Sequence, residues 1–456
     1  MFTETLNREG QDQAWELANI LITVISSLLT LFVILGMIFT PGVVWLVAPG
    51  FTDNPSQFSL TVFLTRVTFP FAIFVGISAA FMGILNSLKH FGSPALAPAF
   101  LNIMMILSAL FLTPYLSTPI LSLSIGVLLG GMLQLLVQVP FLLQKKFRFA
   151  WRFDFSHPGI RKILRLMTPG IIGQSVLQIN LFIGTILASM LQTGSITYLF
   201  FADRLVQFPL AIFGISAATA LLPSLSHHAS KQNIPEMIET LSKTMRMVLS
   251  LMVPSMVGLI VLKTPIVSTL FQRGSFDTAA TQGTALALMY YAFGLWAFAE
   301  VRVVAQTFYA LQDTWTPMKV AVVALMANLF LSLILMGPLK HGGLALANSL
   351  ASMLNVVILV WILRARMGHL QGMKFFRSFL KILLASLVMG LFAYYGARAP
   401  LWGLSGHTLE KLFYLGRGIL FGVISFVTMC AVLRVEEFST MKQWLFSRPT
   451  SDRGSF

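Results

Sequence analysis

The chain has 456 residues, 56% of them hydrophobic and only 10% charged, with a formal net charge of +15 at pH 7. Soluble domains carry about 25% charged residues, so the composition excludes a domain built for water. The single cysteine, Cys430, excludes an internal disulfide.

In chain order, the polar start MFTETLNREGQDQ lacks the basic end and following apolar stretch of a signal peptide. Twelve apolar runs follow: 14–40, 65–89, 93–115, 120–146, 165–191, 197–223, 235–262, 280–311, 317–336, 341–367, 374–397 and 409–434. Runs of about 20 apolar residues cross a bilayer as helices. They are too long and unbroken for barrel strands, which alternate in polarity. Within the fourth run, Gly126 and Gly130 share one helix face and predict close packing against a neighbour. The longest polar stretches, 145–165, 224–236 and the tail after 434, leave no room for a soluble domain. The expected fold is an all-α polytopic membrane protein.

The basic excess suggests nucleic acid only until its residues are placed. Threading the chain through alternating loops puts 22 of the 31 Lys and Arg on one side, seven of them between Lys145 and Arg165 and five between Arg364 and Lys381. Six lie on the other side: Lys263, Arg273, Lys340, Arg398, Lys411 and Arg417. Basic loops are retained in the cytoplasm. Both termini are therefore expected to be cytoplasmic, and no nucleic-acid partner is implied.

The chain also repeats itself. LKHFGSP (88–94) and LQDTWTP (311–317) end a helix in the same way at an offset of 223 residues. TPGVVWLVAPG (40–50) matches TPIVSTLFQRG (264–274) at 224, and GMLQLL (131–136) matches SMLNVV (352–357) at 221. Three matches at nearly one offset read as an internal duplication, a common architecture among transporters. The expected organisation is an N-lobe over 1–146 with four helices of an expected six, a basic linker over 147–164, and a six-helix C-lobe over 165–367. A helix pair over 368–434 and a cytoplasmic tail over 435–456 complete it. Shifting Met1 by 223 lands on Ser224, so 165–191 and 197–223 have no earlier counterpart. The expectation is that Met1 is an internal methionine, or that the gene is truncated.

The stretch FFADRLVQFPLAIFGISAATALLP (200–223) sets Asp203 and Arg204 inside an apolar run. Glu300 and Arg302 do the same in the eighth run. An intramembrane charge costs about 2.5–3.5 kcal/mol and usually faces a cavity or a partner. Arg204 lies roughly 10 Å from the outer end of its helix. It either snorkels to the interface with Asp203 as a loose partner or contacts an anion in a water-filled cavity. Pro209, lacking an N–H, frees the Leu205 carbonyl and predicts a hinge beside Arg204. Glu300 and Arg302, two apart, do not face each other on a helix, and each reads as a structural tie or a transport group. Asn102, Gln134, Gln138, Gln178, Asn180 and Gln207 read first as interhelical hydrogen-bonding groups. His227 and His228 have no further ligands nearby, so no metal is expected. Without a Gly-rich phosphate loop, paired acids or a G-x-S-x-G motif, no catalytic residue and no enzyme activity are expected.

FFADRLVQFPLAIFGISAATALLPSLS resembles the eighth helix of the MurJ (MviN) lipid II flippases, of the MOP exporter superfamily. The resemblance continues through TFPFAIFVGISAAFMGILNSLKHFGSPALAPAFLN (68–102), LMTPGIIGQSVLQIN (166–180) and GPLKHGGLAL (337–346), and covers the whole chain. It implies a two-lobed MOP/MATE-like fold around a cationic cavity, with a lipid-tail groove on the last two helices. It also implies movement of the undecaprenyl-diphosphate-linked peptidoglycan precursor between leaflets of the bacterial inner membrane by alternating access. Arg204 matches the family's essential arginine, Asp203 its acidic neighbour, and Gln207 a position where some members have Glu; these three are the expected substrate-binding residues. Glu300, Arg302, Asn102, Gln134 and Asn180 are expected cavity or interhelical polar groups. The family's first two helices, which carry further cavity arginines and an aspartate, find no match here.

The competing readings are an exporter of another lipid-linked oligosaccharide, a MATE-like antiporter, a polyprenyl-phosphate transferase, and an inactive flippase remnant. Cation antiporters need buried carboxylates, which are few here, and a transferase would show acids for a metal. The expected partners are lipid II, membrane lipids and the cell-wall synthesis machinery. No cofactor is expected, and coupling to the membrane potential or an ion gradient is left open.

Overall fold

The computed structural model describes residues 2–154, 157–369 and 371–438, and among these no strand forms. Two compact units divide the chain, Met1–Gln178 and Ile179–Phe456. The first contains α1 (Phe2–Arg8), α2 (Gln11–Ile38), α3 (Thr40–Val47), α4 (Pro55–Thr68), α5 (Phe71–Ser87), α6 (Gly92–Phe111), α7 (Leu121–Leu136) and α8 (Val139–Gln144). Helix α9 (Pro158–Ser189) crosses the boundary between the units. The second contains α10 (Ser195–Pro209), a π-helical stretch Leu210–Ile215, α11 (Ser216–Ser230), α12 (Ile234–Val261) and α13 (Lys263–Phe271). It continues through α14 (Thr278–Phe293), α15 (Leu295–Ala310), α16 (Trp315–Met367), α17 (Gly372–Gly396) and α18 (Thr408–Val432). Each predicted apolar run falls on one of these helices or on a consecutive pair.

The duplication reaches single hydrogen bonds. Helices α2 and α12 are both 28 residues long, and 234 − 11 and 261 − 38 both equal 223. Asn54 caps α4 by accepting from the Gln57 N–H at 3.3 Å, and Asp277 caps α14 by accepting from the Ala280 N–H at 2.8 Å. Both cap and donor are 223 residues apart in the two copies. Such caps satisfy an amide that has no partner inside the first turn. At the C-terminal ends of α5 and α15, Lys89 (φ 59°) and Gln312 (φ 60°) both turn left-handed. The His90 N–H then donates to the Leu85 carbonyl, and the Asp313 N–H to the Phe308 carbonyl, each at 2.9 Å. This closing bond satisfies carbonyls that the last helical turn leaves open.

The helices differ from the predicted runs at three places. The run expected to begin at 65 begins at Pro55. There Arg66 donates from Nε to the Met37 carbonyl at 3.1 Å, near the C-terminal end of α2. The run 280–311 is two helices bent by 40° at Gly294. Ser349 enters the break and donates from Oγ to the Tyr290 carbonyl at 2.7 Å. A Cβ at Gly294 would stand 2.7 Å from Ser349 Cα, so only glycine admits the neighbouring backbone there. The third place is α16, whose 53 residues include both 317–336 and 341–367. A straight helix of that length would measure about 80 Å, far beyond the roughly 30 Å hydrocarbon core. Lys340 (φ 52°, ψ −135°) turns the chain. A Cβ at Gly343 would then run into the Leu335 carbonyl, although a straight helix would hold residues eight apart about 12 Å from each other.

Small residues set the closest approaches. A Cβ at Gly126 would lie 2.9 Å from Met105 Cα, and one at Gly130 the same distance from Leu101 Cα, so α7 and α6 touch backbone to backbone. Gly396 and Gly418 bring α17 and α18 together in the same way. Gly390 on α17 also seats against Val257 of α12, which joins the terminal pair to the rest of the second unit.

The turn between α15 and α16 carries a testable ionic lock. Asp313 accepts from the Thr316 hydroxyl at 2.6 Å, from the Trp315 and Thr316 N–H groups at 3.1 and 3.0 Å, and from the Arg366 guanidinium at 2.5 Å. The Thr316 hydroxyl, reinforced by its amide and by Arg366, holds the Asp313 carboxyl down at about 2. An unfolded aspartate titrates near 3.9. The folded value is the lower one, so this stabilisation is complete above about pH 4 and disappears as pH falls through about 2. Asp313→Asn is expected to lower stability by about 1 kcal/mol at pH 6. Thermal unfolding in detergent should show wild type and variant converging as the pH is taken down towards 2.

Candidate substrate site

Helix α10 positions the intramembrane charges by its own periodicity. Ser195, Leu199, Ala202, Val206 and Pro209 recur every three or four residues and are all buried. They fix the face that packs inward. Phe200, Arg204, Gln207 and Phe208 then form the exposed stripe, with Asp203 half-buried on its flank.

Within that stripe Asp203 and Arg204 turn to different partners. The guanidinium of Arg204 lies over the Phe200 ring, one turn earlier, with Cζ 4.8 Å from the centroid. Gln207, one turn later, donates from Nε2 to Asp203 Oδ2 at 3.3 Å. Among the described residues no acceptor bonds the Arg204 guanidinium. An arginine presents five donors in a planar fork, so this side chain is exposed with its bonding capacity unused. Cation–π contact orients the fork without consuming it.

Pro209 ends α10, and the next six residues, Leu210–Ile215, wind as a π-helix before α11 continues to Ser230. Proline offers no N–H to the Leu205 carbonyl, and a π turn is one way for a helix to absorb that missing bond. Gly214 sits on the inner side of this turn; a Cβ there would lie 3.1 Å from Ala299 Cβ on α15.

Among the described residues, the other polar groups do not gather around Arg204 through hydrogen bonds. Glu300, next to Ala299, is fully buried, and among the described residues neither carboxylate oxygen has a hydrogen-bond partner. Arg302 is half-buried on the same helix. Asn180 on α9 accepts from Asn328 Nδ2 on α16 at 2.8 Å, and Ser332 donates to Asn328 Oδ1 at 3.5 Å. In the first unit, Gln138 donates from Nε2 to Ser78 Oγ at 2.6 Å and to the Gln134 carbonyl at 3.2 Å, tying the end of α7 to α5. Gln134 is itself buried, whereas Asn102 is exposed on α6.

One charged group was hidden from sequence reasoning. Lys411, counted there among the outer loop charges, is 1% exposed. Its Nζ donates to the Leu404 carbonyl at 2.5 Å and to Gln272 Oε1 at 3.1 Å. Ser268 donates to the same Gln272 oxygen at 2.5 Å. These acceptors are a loop carbonyl seven residues away and a glutamine 139 residues away, both neutral, and no spacing marks them.

Membrane-length helices in two matched copies, spans interrupted by a Gly break and a π turn, and an unbonded arginine within a span define a multi-span α-helical transporter. The chain belongs to the lipid II flippase MurJ family, whose model matches residues 1–414. It is 36% identical over 389 residues to the probable lipid II flippase MurJ of Haemophilus influenzae, covering 81% of this chain and 75% of that one. A solved lipid II flippase MurJ in an inward closed conformation superposes with a TM-score of 0.75 at 25% identity, covering 95% of this chain and 87% of that one. An inward-facing multidrug resistance MATE transporter of the MOP superfamily shares the fold, with a TM-score of 0.67 at 15% identity over 81% of this chain and 85% of that one.

Proposed function

We propose that this chain moves lipid II, the undecaprenyl-diphosphate-linked peptidoglycan precursor, from the cytoplasmic to the periplasmic leaflet by alternating access. The observation that carries the reading is the family match over residues 1–414. Arg204 is the residue assigned to the diphosphate. A diphosphate must shed water to cross, and a guanidinium replaces that water with two parallel charge-assisted hydrogen bonds. Arg204 is exposed, among the described residues no acceptor bonds its guanidinium, and Gln207 donates to Asp203. Asp203 and Gln207 serve here as positioning residues for the stripe.

The test is growth of a bacterium depleted of its own flippase and supplied with this 456-residue chain. Sustained growth with normal cell shape supports the reading. Lysis despite normal membrane levels of the chain counts against it.

The same reading places the protein in the inner membrane with both termini cytoplasmic. Single cysteines at Arg273 and at His369, with Cys430→Ala, check the orientation. The first is expected to react with an impermeant reagent added outside, and the second only after lysis. Outside labelling at 369 would reverse the assignment.

A further inference from the structure

The segment Phe147–Asp154 is neither helix nor turn, and its backbone is tied to the N-terminal half of α2. Three side chains of α2 hold it there. Asn19 donates from Nδ2 to the Arg148 carbonyl at 3.0 Å and accepts from the Ala150 N–H at 3.1 Å. Thr23 accepts from the Arg152 N–H at 3.1 Å, and Glu16 pairs with the Arg152 guanidinium. Backbone groups of Arg148, Ala150 and Arg152 face α2, and Phe149, Trp151 and Phe153 leave their rings exposed beside one another.

Those three rings are exposed by 47%, 62% and 65%. Phe149 meets Trp151 edge to face with centroids 5.0 Å apart, and Trp151 stacks on Phe153 with centroids 6.1 Å apart. Phe147 is buried 5.1 Å from the Trp15 ring of α2 and roots the row. Exposed Lys145, Lys146 and Arg148 flank it.

The level of this row follows from α2. Its charged and amide residues Gln11, Asp12, Gln13, Glu16 and Asn19 all lie at the start, and Ile20 to Phe39 carries no charge. Twenty residues span about 30 Å, the thickness of the hydrocarbon core. Asn19 therefore marks the boundary between headgroups and acyl chains, and the segment bonded to it lies at that boundary on the basic side. Aromatic rings concentrate at this level, and Lys and Arg beside it attract anionic lipid headgroups.

We infer that Phe147–Asp154 is an interfacial anchor: the Phe149, Trp151 and Phe153 rings enter the leaflet surface, and Lys145, Lys146 and Arg148 bind anionic phospholipid headgroups. Its occupant is the bulk lipid surface, and the anchoring is independent of the transported substrate. The test uses the full chain with Cys430→Ala and Trp151→Cys, labelled with bimane and reconstituted in nanodiscs. The discs contain phosphatidylcholine alone or with phosphatidylglycerol, and a doxyl quencher at acyl carbon 5 or 16. The expected result is strong loss of fluorescence to the shallow quencher and little to the deep one, with greater loss when phosphatidylglycerol is present. Lys145→Gln with Arg148→Gln is expected to remove that increase. Absent quenching would overturn the inference and point to water or a protein partner. Stronger deep quenching, or indifference to phosphatidylglycerol, would overturn it as well. Phe149→Cys provides the same readout if the Trp151 variant does not fold.

Discussion

Arg204→Ala should abolish growth in the flippase-depleted bacterium, and Arg204→Lys should lose most of it, with both variants reaching the membrane at near wild-type levels. The levels hold because the side chain is exposed and its contact is the Phe200 ring. Surface substitutions of this kind usually change stability by no more than about 0.5 kcal/mol. The activity does not hold, because a lysine is a point charge and cannot reproduce the two-pronged grip on phosphate oxygens. Lys also lacks the planar face that lies over Phe200. If Arg204→Ala supports growth, the guanidinium only snorkels to the interface, and the diphosphate is bound elsewhere.

The second large effect is structural. Gly343→Ala is expected to destabilise the protein severely, because the new Cβ collides with the Leu335 carbonyl. The Leu335 side of that contact is backbone and an alanine Cβ is fixed to its own Cα, so nothing can swing away. Relief requires opening the turn at Lys340, and overpacking that forces backbone shifts costs about 1–3 kcal/mol or more. This is a large part of a total stability of about 5–15 kcal/mol. Gly337→Ala is the matched control, since a Cβ there meets nothing within 4 Å. Thermal unfolding in detergent should drop sharply for Gly343→Ala and stay near wild type for Gly337→Ala. Equal unfolding temperatures would show that the turn at Lys340 is looser than described.

Much of this architecture was legible because hydropathy and motif spacing are local signals. The three sequence matches near an offset of 223 fall in the same architecture that the Asn54 and Asp277 caps and the Lys89 and Gln312 turns repeat to the residue. The Gly126 and Gly130 contact was legible for the same reason, as a spacing on one face. The start of α4 was missed although Asn54-Pro55 is an ordinary helix-entry signal; the segment after it is too polar to stand out as a membrane run. The break at Gly294 had no such signal. Its cause is Ser349, 55 positions away (349 − 294), which reaches the Tyr290 carbonyl only after α16 has folded back. Lys411 was illegible for a related reason, because its acceptors are a loop carbonyl and a distant glutamine. At the site, the sequence placed Asp203 and Arg204 in the membrane. Their separation, one towards Gln207 and the other towards Phe200, came from the buried stripe of α10.

The most direct measurement of the central claim is the leaflet distribution of lipid II in depleted cells expressing this chain. A membrane-impermeant enzyme that cleaves the diphosphate linkage, added outside spheroplasts, reads the outer-leaflet fraction. Wild-type chain is expected to restore a large cleavable fraction, and Arg204→Ala to leave it at the depleted level. Wild-type chain present in the membrane with no gain in cleavable lipid II would contradict the assignment of lipid II as its cargo.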